Sequence, residues 1–537
     1  GIGVGIPLQW HQAAQARRWR RLPSAPKECS HCSSRRSWEG RSSQCSTLMG
    51  AWLALTAFRL ARNKRSIAAR ERSVLIPPSS RSCKRIGSAD QVAEPIPSLA
   101  AIFRFAGPIA VSISCATLMG LADTAFVGRA GNPLELAALG PSTAIANGCG
   151  YVLSSVSMAV LILLSSKGGK DDQCLCTALC AAGYLGVCVS FVFLVFSRPL
   201  VLAFGASEGM LPYSLAYLRI RLLTLPMAAL TSVQSAALLS TKDSWTPFCI
   251  LSSAGVLNVV IDACLCPSFG AAGAAVGTSL SEALACICFA LTLARRGLLD
   301  NFARPPPGEL SRFLRFVAPI TFNLVLKAAA FLLVGTWATS LGAVPAAGHQ
   351  IAISLFWLAA LVISEPLLST AQSFLPRFLG KREDARQRAS QLLSRLLVAA
   401  VFGSAIAGAC VWTASMPQNL KVFTSDLGIL GSVPRLLLTT CVMVMPFSYL
   451  LEGSLLAAKE QIMVSRLLVC ASSMLVVGLH VQQRLLPGLD LHGPWAVLLG
   501  FLLLRTLLYS ARLRSFLVEL GRRNFPRPAT QEMAVFQ

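Results

Sequence analysis

Apolar stretches of 19 to 30 residues recur twelve times along this chain of 537 residues, and each contains few charged side chains. A transmembrane helix needs about 20 apolar residues. Charged residues make up only 13% of the chain, against about 25% in soluble domains. We therefore predict an all-α polytopic membrane protein with twelve transmembrane helices, at about 100–127, 136–165, 174–197, 212–239, 246–266, 271–294, 313–339, 346–374, 392–414, 434–457, 462–480 and 494–517.

Lysines and arginines are divided unevenly between the loops that join these stretches. Loops after even-numbered stretches, with the adjoining stretch ends, contain sixteen of them, and those after odd-numbered stretches contain five. Because cytoplasmic loops are enriched in Lys and Arg, both termini are predicted on the cytoplasmic or stromal side. The net charge of +24 thus indicates membrane orientation, and no nucleic-acid partner is expected.

Residues 1–98 form a basic leader with 17 Lys/Arg and 5 Asp/Glu. Residues 1–48 precede the first methionine, Met49, and are interpreted as upstream read-through. Residues 49–98 are rich in Arg, Ser and Ala and poor in acids, which is typical of organelle transit peptides. We predict delivery to the plastid envelope in preference to a mitochondrion. A signal-peptide core at 48–58 ahead of a transit segment, or a cytosolic tail, is the alternative.

The two halves of the membrane region repeat each other. "FRFAGPI" at 103–109 resembles "LRFVAPI" at 314–320, and "LLSTKD" at 238–243 resembles "LLAAKE" at 455–460. We predict two six-helix lobes, 99–296 and 313–517, joined by a linker at 297–312 and followed by a tail at 518–537. Since six is even, both lobes share one orientation and are related by a pseudo-two-fold axis along the membrane normal. Such an architecture suits transporters that bind their substrate between two lobes.

Four polar residues interrupt the apolar stretches of the first half at one predicted depth: Asp123, Asn258, Asp262 and Thr278. Asn258 and Asp262 are four residues apart, so they share a helix face. A carboxylate inside a membrane helix is costly, by roughly 2.5–3.5 kcal/mol on insertion scales. Two carboxyl groups that meet in an apolar pocket can share a proton taken up on one side and released on the other. With the amide and hydroxyl oxygens, they could instead bind Na⁺.

Structural roles are the alternative interpretation of these polar groups. Asp123 could cap a helix end or face an aqueous vestibule, and Asp262 could lie at the membrane interface. Thr278 could bond only to the backbone of its own helix. Two further acids, Glu365 and Glu452, lie within later stretches and are interpreted as members of structural ion pairs.

Three segments resemble the multidrug and toxic compound extrusion (MATE) family, in particular its DinF-like branch with plastid-targeted plant members. They are "LADTAFVGRAGNPLELAALGPSTAIAN" at 121–147, "LNVVIDACL" at 257–265 with "GAAGAAVGTSLSE" at 270–282, and "AAGHQIAISLFWLAALVISEPLLSTAQSFLPRFLG" at 346–380. The resemblance implies a V-shaped antiporter that expels organic compounds in exchange for H⁺ or Na⁺. It also implies that Asp123, Asn258, Asp262 and Thr278 form the cation-coupling site.

Four further residues are candidates for the substrate cleft: Glu282, Lys327, His349 and Gln350. Glu282 lies one turn past Thr278, so it could join the same pocket or pair with an arginine. Some members of the resembled family carry an acid near the position of Lys327. The lysine argues against a second cation site there and favours either an anionic substrate or a structural ion pair. His349 and Gln350 belong to the family-like "GHQIA" and could line the cleft.

The predicted function is therefore secondary active antiport of small organic or xenobiotic compounds by alternating access. We expect a monomer in a lipid bilayer, with no cofactor beyond the coupling ion H⁺ or Na⁺ and no enzymatic activity. A lipid-linked sugar flippase is the near alternative, which two extra helices and a strongly cationic cavity would favour. A membrane-embedded enzyme would need a His/Asp/Glu cluster, and the chain has only five histidines. The internal repeat argues against a non-transporting receptor.

Overall fold

The computed structural model describes residues 95–129, 133–169, 171–300, 305–380, 384–421, 426–485 and 490–524. The predicted leader up to residue 94 and the end of the predicted tail lie outside these ranges. The described chain is helical and contains no strand. Its helices are α1 (Leu99–Arg129), α2 (Pro133–Ser166), α3 (Asp172–Val195), α4 (Ser197–Ala203), α5 (Leu211–Ser240), α6 (Trp245–Arg295), α7 (Glu309–Ser340), α8 (Ala343–Phe374), α9 (Ala385–Ala414), α10 (Pro417–Leu420), α11 (Leu427–Ser432), α12 (Arg435–Ala457), α13 (Gln461–Leu485) and α14 (His492–Asn524), with a 3₁₀ turn at Leu375–Phe378 after α8.

The 51-residue α6 is two membrane-spanning arms joined at Gly270. Gly270 adopts φ 53° and ψ −130°, a backbone conformation that suits glycine. A Cβ there would also lie only 1.5 Å from Glu135 Oε2. That oxygen accepts a hydrogen bond from Ala271 N at 2.9 Å, so Glu135 caps the second arm. With both arms counted, the eleven long apolar helices of the described chain give the twelve predicted spans.

The twelve spans form two six-helix lobes, as predicted. Across the lobes, α1 packs on α8 and α2 packs on α7. The pseudo-two-fold axis exchanges α1 with α7 and α2 with α8, so it converts one of these contacts into the other. The repeat extends to backbone detail, because Lys242 and Lys459 both have positive φ, 67° and 63°, in the turns that follow α5 and α12.

Equivalent ion pairs close the same end of each lobe. In the first lobe Arg296 binds Asp243 at 2.6 Å, and in the second Arg512 binds Glu460 at 3.0 Å. We call this end of the bundle, which carries the loops after even-numbered spans, the basic end. In each half, therefore, an acid between the fourth and fifth spans is paired with an arginine at the basic end of the sixth.

Several boundaries differ from the predicted ones. α9 begins at Ala385 rather than near 392, and α7 begins at Glu309, inside the predicted linker. α14 continues to Asn524, so residues 518–524 are helical and not part of a tail. Hydropathy identifies the apolar part of a helix, whereas polar turns extend these helices beyond it.

The lobes meet toward the basic end. One buried cluster there combines residues of α2 and α5 with Val317 of α7 and Tyr509 of α14. Phe105 of α1 and Phe374 of α8 stack edge to face with 5.1 Å between ring centroids. Farther along the bundle each lobe has an apolar cluster of its own. The cleft between the lobes is therefore closed by packing at the basic end.

Candidate functional site

The four predicted coupling residues come together in the first lobe. Asp123 lies on α1, Asn258 and Asp262 on the first arm of α6, and Thr278 on the second arm. All four side chains are buried, with Asn258 and Asp262 fully inaccessible. The bend at Gly270 returns the second arm alongside the first, which brings residues 16 positions apart in sequence, Asp262 and Thr278, to one depth.

Hydrogen bonds join three of these residues around one carboxyl group. Thr278 Oγ1 lies 3.2 Å from Asp123 Oδ2 and 2.9 Å from the carbonyl oxygen of Ala274. The neighbouring donors and acceptors assign the orientation of the Asn258 amide: its nitrogen donates to Asp123 Oδ1 at 3.2 Å and its oxygen accepts from Thr278 N at 3.0 Å. Both oxygens of Asp123 thus face donors from α6.

Asp262 completes the group from the other side. It lies within hydrogen-bonding reach of Asp123, and its Oδ1 is buried without a hydrogen-bond partner in the described chain. The second arm approaches this oxygen so closely that a Cβ on Gly277 would lie 2.1 Å from it. Two like charges at this separation in a buried site repel strongly. The arrangement therefore favours one proton or one cation bound between the two carboxyl groups.

An ion pair stands between this carboxyl pair and the cleft. Arg221 of α5 contacts Glu282 of α6 at 2.8 Å, and both side chains are largely shielded. Asp123 is within the electrostatic range of Arg221. The sequence left two interpretations of Glu282 open, and the structure shows the second, an ion pair with an arginine.

A cavity of about 570 Å³ lies between the lobes. Its walls come from α1, α2, α5 and α6 of the first lobe and from α7 and α8 of the second, and most of its lining is apolar or hydroxylated. Its ionisable side chains among the described residues are Glu282, Glu365, Tyr151 and Cys115. No lysine, arginine or histidine of the described chain lines it, so its lining contains acidic side chains and no basic ones.

The second lobe has a buried charge cluster of its own. Lys327 Nζ donates to Glu452 Oε1 at 2.8 Å, and Arg505 lies 4.0 Å from the other oxygen of Glu452. The Arg505 guanidinium also bonds to Ser448 and lies 5.4 Å from the ring centre of Tyr449. Lys327 is therefore a member of a structural ion pair and does not line the cavity.

The remaining two cleft candidates lie elsewhere. His349 is buried in the second lobe, with its ring 5.8 Å from that of Trp495. Gln350 is exposed on α8. Neither lines the cavity, whereas Glu365, sixteen residues after His349 on the same helix, does.

Sequence reasoning did not predict the roles of three residues in or near the site. In sequence, Arg221 is one of two arginines on α5, and nothing in the pattern selects it over Arg219. Glu365 has the pattern of a structural acid, although no ion pair of the described chain includes it. Glu135 lies at the start of α2, where an acid is ordinary. Each role depends on how a helix is rotated about its axis, which apolar periodicity leaves open in a membrane.

Comparison with known proteins identifies the lineage. The family model MatE matches residues 108–264. The Arabidopsis thaliana protein DETOXIFICATION 47, chloroplastic, is 31% identical over 427 residues, which cover 77% of this chain and 78% of the relative. The chain belongs to the MATE family. A second Arabidopsis MATE relative, DETOXIFICATION 44, chloroplastic, is 26% identical over 75% of this chain and 80% of its own length.

Solved structures show the same fold. A MOP superfamily transporter from Pyrococcus furiosus superposes with a TM-score of 0.67 at 20% identity, covering 79% of this chain and 97% of its own. A mutant of the Vibrio cholerae MATE transporter VcmN gives 0.68 at 16% identity, covering 78% and 97%. The protein is thus an integral, multi-pass membrane protein with the two-lobe architecture of MATE transporters.

Proposed function

We propose that this protein exports organic compounds by alternating access, in exchange for a cation bound at the Asp123/Asp262 pair. The observation that carries the proposal is this buried carboxyl pair with its hydroxyl and amide donors. Within the described chain, no basic side chain forms an ion pair with either carboxylate, so the site can gain or lose a positive charge. A buried acid without a permanent counter-charge is suited to coupling.

A proton is the coupling ion that the contacts favour. Asp262 Oδ1 has no donor within the described residues, and the carboxyl group of Asp262 lies in reach of Asp123. A shared proton satisfies both groups, because a protonated carboxyl donates to its neighbour. Na⁺ is the second candidate, since carboxylate, amide and hydroxyl oxygens all converge there.

The cavity favours neutral or cationic substrates of drug size. Its volume of about 570 Å³ falls within the range of small-molecule pockets. A carboxylate at Glu365, which has no ion-pair partner in the described chain, would repel an organic anion, while the methionines of the lining accept varied apolar shapes. The anionic substrate considered for Lys327 loses its support, because the charge of Lys327 is matched by Glu452 outside the cavity. For the same reason a flippase for lipid-linked sugars, which would need a cationic cavity, is disfavoured.

The plastid envelope is the membrane that we propose, with the basic end facing the stroma. The printed names of two relatives, both chloroplastic, support this location. The acid-poor segment 49–98, most of which lies outside the described residues, would act as the transit peptide. A fusion of residues 49–98 to a fluorescent protein should enter plastids, and a diffuse cytosolic signal would contradict the targeting.

Transport in reconstituted liposomes tests the exchange. The probe is tetraphenylphosphonium, whose charge does not change with pH. We expect its transport to follow an imposed pH gradient and to be indifferent to ATP. A response to a Na⁺ gradient alone would assign Na⁺ as the coupling ion, and transport indifferent to both gradients would refute the exchange.

Two substitutions link this transport to the site. Asp123→Asn and Asp262→Asn keep the side-chain size but remove the charge, so gradient-driven transport should fall to the level of protein-free vesicles. Glu208→Gln, which removes an exposed acid, is the matched control and should behave as the wild type.

A further inference from the structure

We propose that Arg221 is the positioning residue that transmits the charge of the Asp123/Asp262 pair to the substrate cavity, by exchanging between Glu282 and Asp123. This inference rests on the proposed antiport and specifies how the cation and the substrate exclude each other. It assigns Glu282 as a substrate-binding carboxylate that is available only when Arg221 has left it.

The position of Glu282 supports the exchange. It follows Thr278 by four residues on the second arm of α6, so both lie on one face of that arm. Thr278 contacts Asp123, and Glu282 lines the cavity between the lobes. One short helical segment therefore carries a residue of the coupling site at one end and a cavity residue at the other.

Arg221 contacts Glu282, and the charge of Asp123 also acts on its guanidinium. Its Nη1 lies 2.8 Å from Glu282 Oε2, but it lacks the alignment of a hydrogen bond. The charged and titratable groups around it are Glu282 on α6, Asp123 on α1 and Tyr217 one turn earlier on α5. A separate pocket of about 180 Å³, lined by Arg221, Glu282 and the polar Asn147 of α2, adjoins this ion pair, so the guanidinium is not packed on every side.

Electrostatics sets the direction of the exchange. When the carboxyl pair holds a proton, its net charge is −1, and Arg221 remains on Glu282. When the proton leaves, the pair carries −2 in a poorly screened environment and attracts Arg221 more strongly. Glu282 is then left as an unpaired carboxylate that faces the cavity, which an organic cation can neutralise. Return of a proton releases Arg221 to Glu282 and displaces the organic cation.

Binding of tetraphenylphosphonium to the purified full-length protein, measured between pH 5 and pH 8, tests this assignment. The wild type should bind about tenfold more tightly at high pH than at low pH, the difference expected for one competing charge. Arg221→Gln should bind tightly at both ends of the range. Glu282→Gln should bind weakly at both ends, through Glu365 alone.

The control and a second variant make the result decisive. Arg219→Gln removes an exposed arginine two residues away on α5 and should keep the wild-type pH dependence. If Arg221→Gln does not fold, the double variant Arg221→Gln with Glu282→Gln, which removes both charges of the pair, should bind as Glu282→Gln does. A wild-type pH dependence in any of these three pair variants would overturn the proposal.

The same measurements separate this proposal from the antiport on which it rests. If neither the wild type nor Asp123→Asn shows pH-dependent binding, proton coupling itself fails. If Asp123→Asn abolishes the dependence while Arg221→Gln retains it, coupling survives and the Arg221 exchange is wrong.

Discussion

The two lobes repeat one helical scaffold but treat buried charge in opposite ways. In the first lobe, two carboxyl groups lie in reach of each other, with neutral donors around them. In the second, the carboxylate of Glu452 lies between Lys327 and Arg505, and aromatic rings surround the guanidinium. The first arrangement changes charge when a cation arrives, whereas in the second the one carboxylate already lies between two cationic groups. The two halves of the repeat thus differ in whether their buried carboxyl groups have cationic partners.

The largest expected effect is on coupling. Asp123→Asn should reduce proton-driven transport to background, because the remaining carboxyl group no longer shares its proton with a second acid. Lys327→Met, in the second lobe, should retain the response to the pH gradient in the folded fraction. Equal loss of coupling in both variants, measured on matched amounts of folded protein in liposomes, would erase the contrast between the lobes.

The next-largest effect is on stability. Here the substitution in the second lobe should be more damaging than the one in the first. Glu452→Gln leaves Lys327 and Arg505 buried without their shared partner, and loss of one member of a buried pair costs about 3–5 kcal/mol. Asp123→Asn relieves repulsion and should change the free energy of unfolding by less than about 1 kcal/mol. Thermal unfolding in detergent compares them, and a larger loss in Asp123→Asn would reverse our description of the two clusters.

The close approach of the two arms of α6 should matter for the Asp123/Asp262 pair. Gly277→Ala places a methyl group against Asp262 Oδ1, so we expect a destabilisation of about 1–3 kcal/mol and at least a tenfold loss of coupled transport. Gly148→Ala on α2 is the control, because no heavy atom lies within 4 Å of its added Cβ. If the two alanine variants transport alike, the carboxyl pair tolerates displacement and the site is looser than described.

The smallest effect concerns the ion pairs at the basic end. Burial alone would raise the pKa of Asp243, but hydrogen bonds from Thr246 and Arg296 bring that pKa below its usual value. A carboxyl group with a lowered folded pKa adds stability above its unfolded pKa and loses it as the pH falls through the folded value. We expect Asp243→Asn to lose about 1 kcal/mol at pH 7.

This difference from the wild type should shrink as the pH is lowered below about 4, the unfolded pKa of an aspartate. Unfolding temperatures recorded against pH measure it, with Glu208→Gln as the control. A difference that stays constant with pH would show that the Asp243→Asn substitution disturbs packing and not the ion pair with Arg296.

Much of the fold was predictable because a bilayer restricts a chain severely. Runs of apolar residues located the spans, and loop charge together with the repeat arranged them in two lobes. Asn258 and Asp262 were matched in depth to Asp123 by counting residues from the span ends, aided by the family resemblance. That counting works along a helix axis, where each residue adds about 1.5 Å.

Rotation about the axis was not predictable from the same pattern. Lys327 and Glu452 are 125 residues apart, and no local signal indicates that they face each other. Arg219 and Arg221 look alike in sequence, yet one faces outward and the other contacts Glu282. In a membrane both faces of a helix can be apolar, so the hydrophobic pattern that orients soluble helices carries less information.

The contacts that close the basic end have an evolutionary consequence. Arg395 donates to the carbonyl oxygen of Pro97 at 2.6 Å, Arg377 to that of Ser165 at 3.4 Å, and Ser373 to that of Leu239 at 2.9 Å. The donors are side chains of the second lobe, while the acceptors belong to the backbone of the first-lobe half of the chain. Any residue can supply these three acceptors, so selection for these bonds should act on the donors, whereas Lys242, which donates to Ser373 from the first lobe, should be constrained as a side chain.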